Sequence, residues 1–197
     1  MGRMAAPRRT ASCVVVLAIV TVVLGGCTEE TPPDEPVPSS VALGVETISG
    51  AEGLDDTTRT ALETAVGDVL SGYVSRAFLG DFPREEFVPA FESFTSGAAR
   101  RAAQDIDRLT ASPVQDATAV RATQLDARLS FLVQGERPLG ATATVNFDFE
   151  ATMADGTVRP LSLQGRLMLD QRGGAWSVFG YDVALDDGAA IATELSP

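Results

Sequence analysis

LGATATVNFDFEATM, residues 139–153, is the stretch that decides the fold of this chain. Every odd-numbered residue in it is apolar, and every even-numbered residue except Gly140 is polar. Side chains of a β-strand point alternately to the two faces of a sheet, so one face of this strand is apolar and the other is polar. Such a pattern is typical of an antiparallel sheet that is covered on one side and exposed to water on the other.

Similar alternation on both sides of this strand predicts a four-stranded antiparallel meander over residues 119–185. In the strand that precedes it, the apolar residues change phase near Thr123 and Gln124, which predicts a β-bulge there. The last strand changes phase near Phe179 and Gly180, so we expect a second bulge or a twist at that point.

The turn Ala154-Asp155-Gly156 joins two strands that are both apolar at odd-numbered positions. A two-residue loop would pair odd with even positions and turn one apolar set to the wrong face. We therefore expect a three-residue loop with Gly156 in a left-handed conformation.

One long helix is predicted to cover the apolar face of the sheet. Apolar residues recur every three or four positions from Leu62 to Phe78, which is the spacing of an amphipathic helix. Asp55 and Asp56 offer an N-cap, and Gly80 follows as a stop.

A second, shorter helix is expected to open at residues 81–83, with Phe87, Phe91 and Phe94 as its apolar face and Pro89 bending or shortening it. With the third helix described next, the sequence predicts an α+β fold. One long and two shorter N-terminal helices pack on one face of a curved four-stranded antiparallel meander.

The third helix is predicted from Ser96 through Leu109. Arg101 and Asp105 are four residues apart and are expected to pair on its exposed side. The Arg100–Arg101 pair could form an anion site, but a solvated helix face is the favoured interpretation.

The first 26 residues have the composition of an export signal. Residues 1–12 contain three arginines and no acidic residue, and an apolar run follows over residues 13–24. That run is too short to cross a bilayer as a helix, which needs about 20 residues. It ends in Leu24-Gly25-Gly26-Cys27, which resembles the lipobox of bacterial lipoproteins. The resemblance implies cleavage before Cys27, a lipid on its sulfur, and an anchor on the extracytoplasmic face of the cell membrane.

Residues 28–40 contain four prolines and four acidic residues and cannot bury enough apolar surface to fold. At the rise of a Pro-rich chain they would form a tether of up to about 40 Å. Residues 41–48 are either a short edge strand or more linker. We therefore assign residues 27–50 to the tether, 51–187 to one folded domain and 188–197 to a C-terminal tail.

The charge and the reactive residues limit the chemistry. The chain has 27 acidic and 15 basic residues and no histidine, and every basic residue is Arg. Without a basic patch, nucleic-acid binding is not expected. Cys13 leaves with the signal and Cys27 would carry the lipid, so no free thiol remains. We therefore expect no Ser-His-Asp or Cys-His site, no metal and no cofactor.

Two carboxylates, Asp148 and Glu150, lie on one face of the central strand, as a pair for glycoside hydrolysis would. That face is the polar one, which they share with Arg128 and Arg166. A salt-bridged surface is therefore the favoured interpretation.

The inward positions are nearly all aliphatic or Phe, and the polar groups that could reach a cavity are the Tyr73 and Tyr181 hydroxyls and the Trp176 indole. The candidate lining of an apolar pocket consists of Tyr73, Phe131, Phe149 and Trp176. Each of the three polar-tipped residues is more often a core residue whose polar tip is satisfied at the edge.

The order of a long helix, two shorter helices and a meander that ends near a Trp resembles the nuclear transport factor 2-like (cystatin-like) superfamily. In that superfamily a curved sheet wraps a long helix into a cone, and enzymatic members place acid–base residues inside it, for which this chain has no match. Two local stretches, residues 94–99 (FTSGAA) and 174–178 (GAWSV), are similar to actinobacterial Mce-associated proteins.

These observations together lead us to expect a membrane-anchored extracytoplasmic lipoprotein. Its domain is predicted to be a non-enzymatic binding or assembly module of the cell envelope with a protein partner. A carrier of an apolar or lipid ligand in the cone interior is the alternative. An enzyme of the ketosteroid isomerase type is the third possibility.

Overall fold

The structure is a computed structural model that describes residues 41–189. By its contacts the chain divides into Met1–Val37 and Pro38–Pro197, and the described residues all belong to the second unit. In chain order their elements are β1 (Gly44–Ser49), α1 (Asp56–Ala77), a 3-10 turn (Val88–Phe91), α2 (Ser96–Ala102), α3 (Ile106–Leu109), a second 3-10 turn (Ser112–Val114), β2 (Ala119–Gln134), β3 (Arg137–Thr152), β4 (Val158–Arg172) and β5 (Ala175–Asp186).

The described residues form one mixed sheet with the strand order β1-β2-β3-β4-β5. Strands β2 to β5 are the expected antiparallel meander, but β1 runs parallel to β2, from Gly44 opposite Asp126 to Ser49 opposite Ser130. The predicted four-stranded antiparallel sheet is therefore wrong, and most of residues 41–48 belong to a strand. Parallel neighbours need a long crossover connection, and so distant a partner leaves no local pattern in the sequence.

Both predicted bulges and the predicted turn are confirmed. The β2–β3 pairing shifts around Thr123 and the β4–β5 pairing shifts around Phe179, so each is an extra residue in its strand. The amide of Met153 donates to the Thr157 carbonyl at 2.8 Å, which leaves three residues in the loop, and Gly156 has φ of 83°. The parity of the apolar positions was sufficient here, because a one-residue slip would expose a whole face.

The sheet curves around α1. This helix contacts both edge strands, β1 and β5. Five strands laid flat would be about 19 Å across, whereas a helix with its side chains is about 10 Å wide. The helix can therefore reach both edge strands only because the sheet curves around it. The side chains of α1 that are buried against the sheet are Leu62, Val66, Leu70, Tyr73, Val74 and Ala77.

Both ends of α1 are closed by side chains. The carboxylate of Asp55 accepts a hydrogen bond from the Thr58 amide at 2.9 Å, so the predicted N-cap is confirmed. At the other end Arg84 donates to the carbonyls of Ala77, at 3.2 Å, and Leu79, at 3.1 Å. Burial lowers the pKa of Arg84. The negative end of the helix dipole, however, favours a cation in this place.

The second predicted helix is wrong. Only the 3-10 turn Val88–Phe91 forms, with Pro89 in its first turn. The ring of Pro89 and its missing amide hydrogen work against any longer helix across this segment. Phe87, Phe91 and Phe94 are nevertheless buried in the core, as the apolar pattern predicted.

The third predicted helix is present as two pieces, α2 and α3, which are separated at residues 103–105. Asp105, at the break, accepts a hydrogen bond from the Tyr181 hydroxyl at 2.7 Å. The predicted ion pair between Arg101 and Asp105 does not form in the described structure. Asp105 therefore binds Tyr181 of β5 instead of Arg101 in its own segment. None of the helices within residues 41–189 is long and apolar enough to cross a membrane.

Candidate functional site

The four candidate pocket residues Tyr73, Phe131, Phe149 and Trp176 are all buried. Tyr73 and Phe149 both contact Phe78, with ring centroids 6.2 Å and 4.4 Å from its own. Phe131 and Trp176 contact each other instead, with centroids 6.2 Å apart. Their use as the lining of a ligand site stays a prediction.

These two aromatic pairs lie towards opposite ends of the sheet. Phe131 is paired with Ala141 on β3, and Phe149 lies eight residues further along the same strand. Eight residues of strand span about 26 Å. The structure therefore does not bring the four candidates together in one place.

The polar tips of the buried aromatic residues differ in how they are satisfied. The Tyr73 hydroxyl donates to the Leu109 carbonyl at 2.5 Å. The pKa of Tyr73 is raised, mainly because the side chain is buried. This hydrogen bond connects α1 to the end of α3 and occupies the hydroxyl. The Trp176 indole nitrogen is buried and has no hydrogen-bond partner among the described residues.

The salt-bridged surface predicted around Asp148 and Glu150 forms for Glu150 but not for Asp148, and neither pairs with Arg128 or Arg166. Asp148 accepts a hydrogen bond from Ser162 at 2.6 Å, and Glu150 forms an ion pair with Arg121. Within residues 41–189, no group of three or more His, Cys, Asp or Glu side chains is placed to hold a metal ion. Cys27, the predicted lipidation site, lies outside the described residues.

Three of the concave surfaces on the outside of the described domain bear on its function. The first, the polar groove, has a volume of about 730 Å³ and crosses the outer face from β1 to β4. Its outward-pointing side chains are Glu46, Asp126, Arg128, Thr144, Asn146 and Gln164.

The second surface, the apolar depression, has a volume of about 510 Å³ and lies on the outer face near the β2–β3 hairpin. Leu132 and Phe179 line it and are 64% and 44% exposed, although large apolar side chains usually avoid water. Met168 and Leu139 line it as well. The sequence contains a signal for this surface that we missed, because Leu132 and Met168 are apolar at outward-facing positions of their strands.

The third surface, the arginine cleft, has a volume of about 550 Å³ and follows the edge of β5 beside α2 and α3. Arg101 of α2 donates to the Phe179 carbonyl at 3.2 Å, and Arg108 of α3 donates to the Val183 carbonyl at 3.4 Å. Tyr181 lies between these two anchor points along the strand.

The Tyr181 hydroxyl also faces the arginine cleft. The pKa of Tyr181 is raised to about 12, first by burial and then by the hydrogen bond to Asp105 and the charge of that carboxylate. Arg101 and Arg108 act in the opposite direction. Tyr181 is therefore neutral at physiological pH and acts as a hydrogen-bond donor.

The apolar depression and the arginine cleft are neighbours. Met168 and Phe179 line both of them and so form the ridge between the two. An occupant that spans this ridge would meet apolar side chains on one side and guanidinium groups on the other.

Comparison with known proteins yields few similarities. No protein-family model matches the chain, and no curated protein matches it. A solved structure that is similar to it is a hexachlorocyclohexane dehydrochlorinase (LinA) type 2, with a TM-score of 0.45 and 11% sequence identity. The match covers 67% of this chain and 90% of that chain.

The expectation that the domain is not an enzyme does not hold. The neighbour is an enzyme by name, which is a statement about that protein alone. The missing His, Lys and free Cys do not exclude activity, because a Tyr or a carboxylate can also act as acid or base. At 11% identity the similarity assigns no activity to this chain.

Proposed function

We propose that this chain is a lipid-anchored protein of the extracytoplasmic membrane face whose domain binds a protein partner through the outside of its sheet. The anchor is supported by the lipobox-like residues 24–27 and by the charged start and apolar run before them. The Pro-rich and acidic composition of residues 28–40 supports a tether between this anchor and the domain.

The domain itself is proposed to be a member of the nuclear transport factor 2-like superfamily, which the order of α1, the short helices and the β2–β5 meander supports. The sheet that curves around α1 agrees with the cone expected for that superfamily. The likeness of residues 94–99 and 174–178 to Mce-associated proteins supports a role in the cell envelope.

The observation that favours a surface role is the exposure of Leu132 and Phe179 at the apolar depression, while the aromatic side chains of the interior are buried. An exposed apolar patch bordered by polar residues is typical of a protein interaction site. A partner segment that places an apolar side chain in the depression would remove both side chains from water. The alternative, an apolar ligand in the interior, would have to displace packed side chains such as Phe78 and Phe149.

Site-specific photo-crosslinking in the protein's own host tests the surface role. A photoreactive phenylalanine analogue at position 132 should give an adduct with a defined protein. The matched control places the analogue at Val158, which is 57% exposed but does not line the apolar depression. Equal adducts from both positions, or none from position 132, would contradict the proposal.

A Cys27→Ala variant tests the anchor, because it removes the sulfur that would carry the lipid. The variant should lose lipid labelling and leave the membrane fraction. Retention in the membrane at the wild-type level would show that the lipobox interpretation is wrong. A lipid that co-purifies with the native protein would instead favour the carrier function, and turnover of a small substrate would favour an enzyme.

A further inference from the structure

The arginine cleft suggests the chemistry of the partner. We propose that the partner segment is acidic and extended, with carboxylates held by Arg101 and Arg108 and an apolar side chain in the neighbouring depression. This inference rests on the proposed function, because it specifies which kind of protein segment the outer surface recognises.

Arg101 and Arg108 keep unused N–H donors in the cleft. Arg101 and Arg108 each spend one N–H on a strand carbonyl, at 3.2 Å and 3.4 Å. A guanidinium group has five N–H donors, so most of them stay available to a ligand. The carbonyl contacts also hold both groups in place, which reduces the entropy that binding would cost.

The carboxylates near Arg101 and Arg108 are bound to other partners. Neither Arg101 nor Arg108 forms an ion pair with any described carboxylate. Asp105 stands near both of them, but its carboxylate accepts the Tyr181 hydroxyl. Asp182, the other carboxylate of the cleft, is paired with Arg166 at 2.8 Å.

The balance of these charges is positive. Two arginines and two carboxylates line the cleft, but Asp182 is paired with Arg166 outside it, which leaves Arg101 and Arg108 against Asp105 in a chain whose net charge is −12. A local excess of cations on an acidic protein attracts an anionic partner and repels a basic one.

The distance between the anchors of the two arginines limits the shape of the occupant. The anchor carbonyls belong to Phe179 and Val183, four residues apart on β5, a separation of about 13 Å in a strand. One carboxylate is too small to reach both guanidinium groups while they keep these anchors. Two carboxylates about four residues apart in an extended segment match the distance.

The arginine cleft and the apolar depression lie side by side, so one segment can occupy both. Phe179 and Met168 form the ridge between the cleft and the apolar depression, and Arg101 is anchored at Phe179 itself. An apolar residue next to the carboxylate at Arg101 would therefore enter the depression. This arrangement sets the register of the segment.

The test uses the full chain in detergent and a synthetic peptide with one leucine beside two glutamates that are four residues apart. Its control peptide has glutamines in place of the glutamates, and both carry the same dye for fluorescence anisotropy. We expect the acidic peptide to bind about tenfold more tightly than its control, as two exposed ion pairs allow. Added salt should remove the difference.

Three variants locate the binding. The double change Arg101→Gln and Arg108→Gln should weaken binding of the acidic peptide about tenfold and leave the glutamine peptide unchanged. Arg100→Gln removes the same charge from a neighbouring position of α2 that does not line the cleft, and it should have no effect. Leu132→Ser should weaken both peptides, because it reduces the apolar depression.

Several results would overturn the inference. They are equal binding of the two peptides, an equal loss in Arg100→Gln and in the double variant, or displacement of the peptide by the same concentration of inorganic phosphate. If these occur while position 132 still crosslinks to a protein, the inference fails and the proposed function stands. If the peptide binds through the arginines but no protein crosslinks to position 132, the proposed function fails.

Discussion

Phe78, the residue that follows α1, stacks on Phe149 of β3, with ring centroids 4.4 Å apart and ring planes inclined by 8°. Both side chains are fully buried. The stack joins the last turn of the long helix to the meander at the point where the chain leaves the helix. Tyr73, one turn earlier, meets Phe78 edge-on, so one ring is held from two directions.

The first prediction is that the two stacked rings are energetically coupled. Phe78→Leu and Phe149→Leu should each destabilise the domain by about 1 kcal/mol, since both keep an apolar side chain. The double variant should reveal a coupling energy of about 0.5–1.5 kcal/mol, as expected for an aromatic pair. The control cycle combines Phe78→Leu with Phe131→Leu, whose rings do not touch, and should be additive. Denaturant unfolding measures both cycles, and equal coupling in the two would contradict the prediction.

The second prediction compares the two faces of β3. Phe147 is fully buried, so Phe147→Asp would place an unpaired charge in the core and should prevent folding. Thr144 lies on the outer face between Arg128 and Arg166 in the strand register. Thr144→Asp would thus stand between two cations, and its stability should change by less than about 1 kcal/mol. Circular dichroism and thermal melts distinguish the two, and equal damage would mean that the outer face is also covered.

Patterns of near neighbours made most of the sheet predictable. Alternation along each strand showed which side chains are buried, and its parity located the bulges at Thr123 and Phe179 and the length of the loop at Gly156. All three depend on residues within one strand or one hairpin. The parallel pairing of β1 depends on residues about 80 positions apart, for example Gly44 with Asp126, and no local rule reports it.

Local sequence patterns also failed to predict the helix contacts and the surfaces that depend on distant residues. The region around Pro89 has the apolar spacing of a helix, but the ring and missing donor of this residue leave only a 3-10 turn. Asp105 was expected to pair with Arg101, but β5 brings the Tyr181 hydroxyl to it. The arginine cleft combines residues of α2 and α3 with residues of β5 that are more than 70 positions away, so spacing along the chain could not reveal it.

The third prediction concerns a glycine that the sheet requires. Gly165 of β4 has φ of 135°, and a Cβ there would lie 2.2 Å from the Asp182 carbonyl oxygen. Gly165→Ala should therefore destabilise the domain by more than about 2 kcal/mol, through backbone strain and displacement of β5. Gly97 is the control, because it lies in α2 and a Cβ there would meet nothing within 4 Å. Gly97→Ala should be neutral or stabilising by up to about 1 kcal/mol. Similar melting temperatures for the two variants would contradict this account of Gly165.

The fourth prediction concerns the only two tyrosines of the chain, Tyr73 and Tyr181. Burial raises the pKa of both above the ordinary value of 10.0, and that of Tyr181 to about 12. The unfolded chain therefore loses these protons first as pH rises, so the two tyrosines should lower the free energy of unfolding between pH 10 and pH 12 and should contribute no pH dependence near neutral pH. Tyrosinate absorbance and denaturant titrations at a series of pH values measure the two effects.

At pH 10 a free tyrosine is half ionised, whereas the folded protein should show almost no tyrosinate signal. Tyr181→Phe should remove the signal that appears near pH 12 before unfolding and should reduce the slope of stability against pH. A folded protein that shows half of its tyrosinate signal at pH 10 would contradict the burial of both hydroxyls.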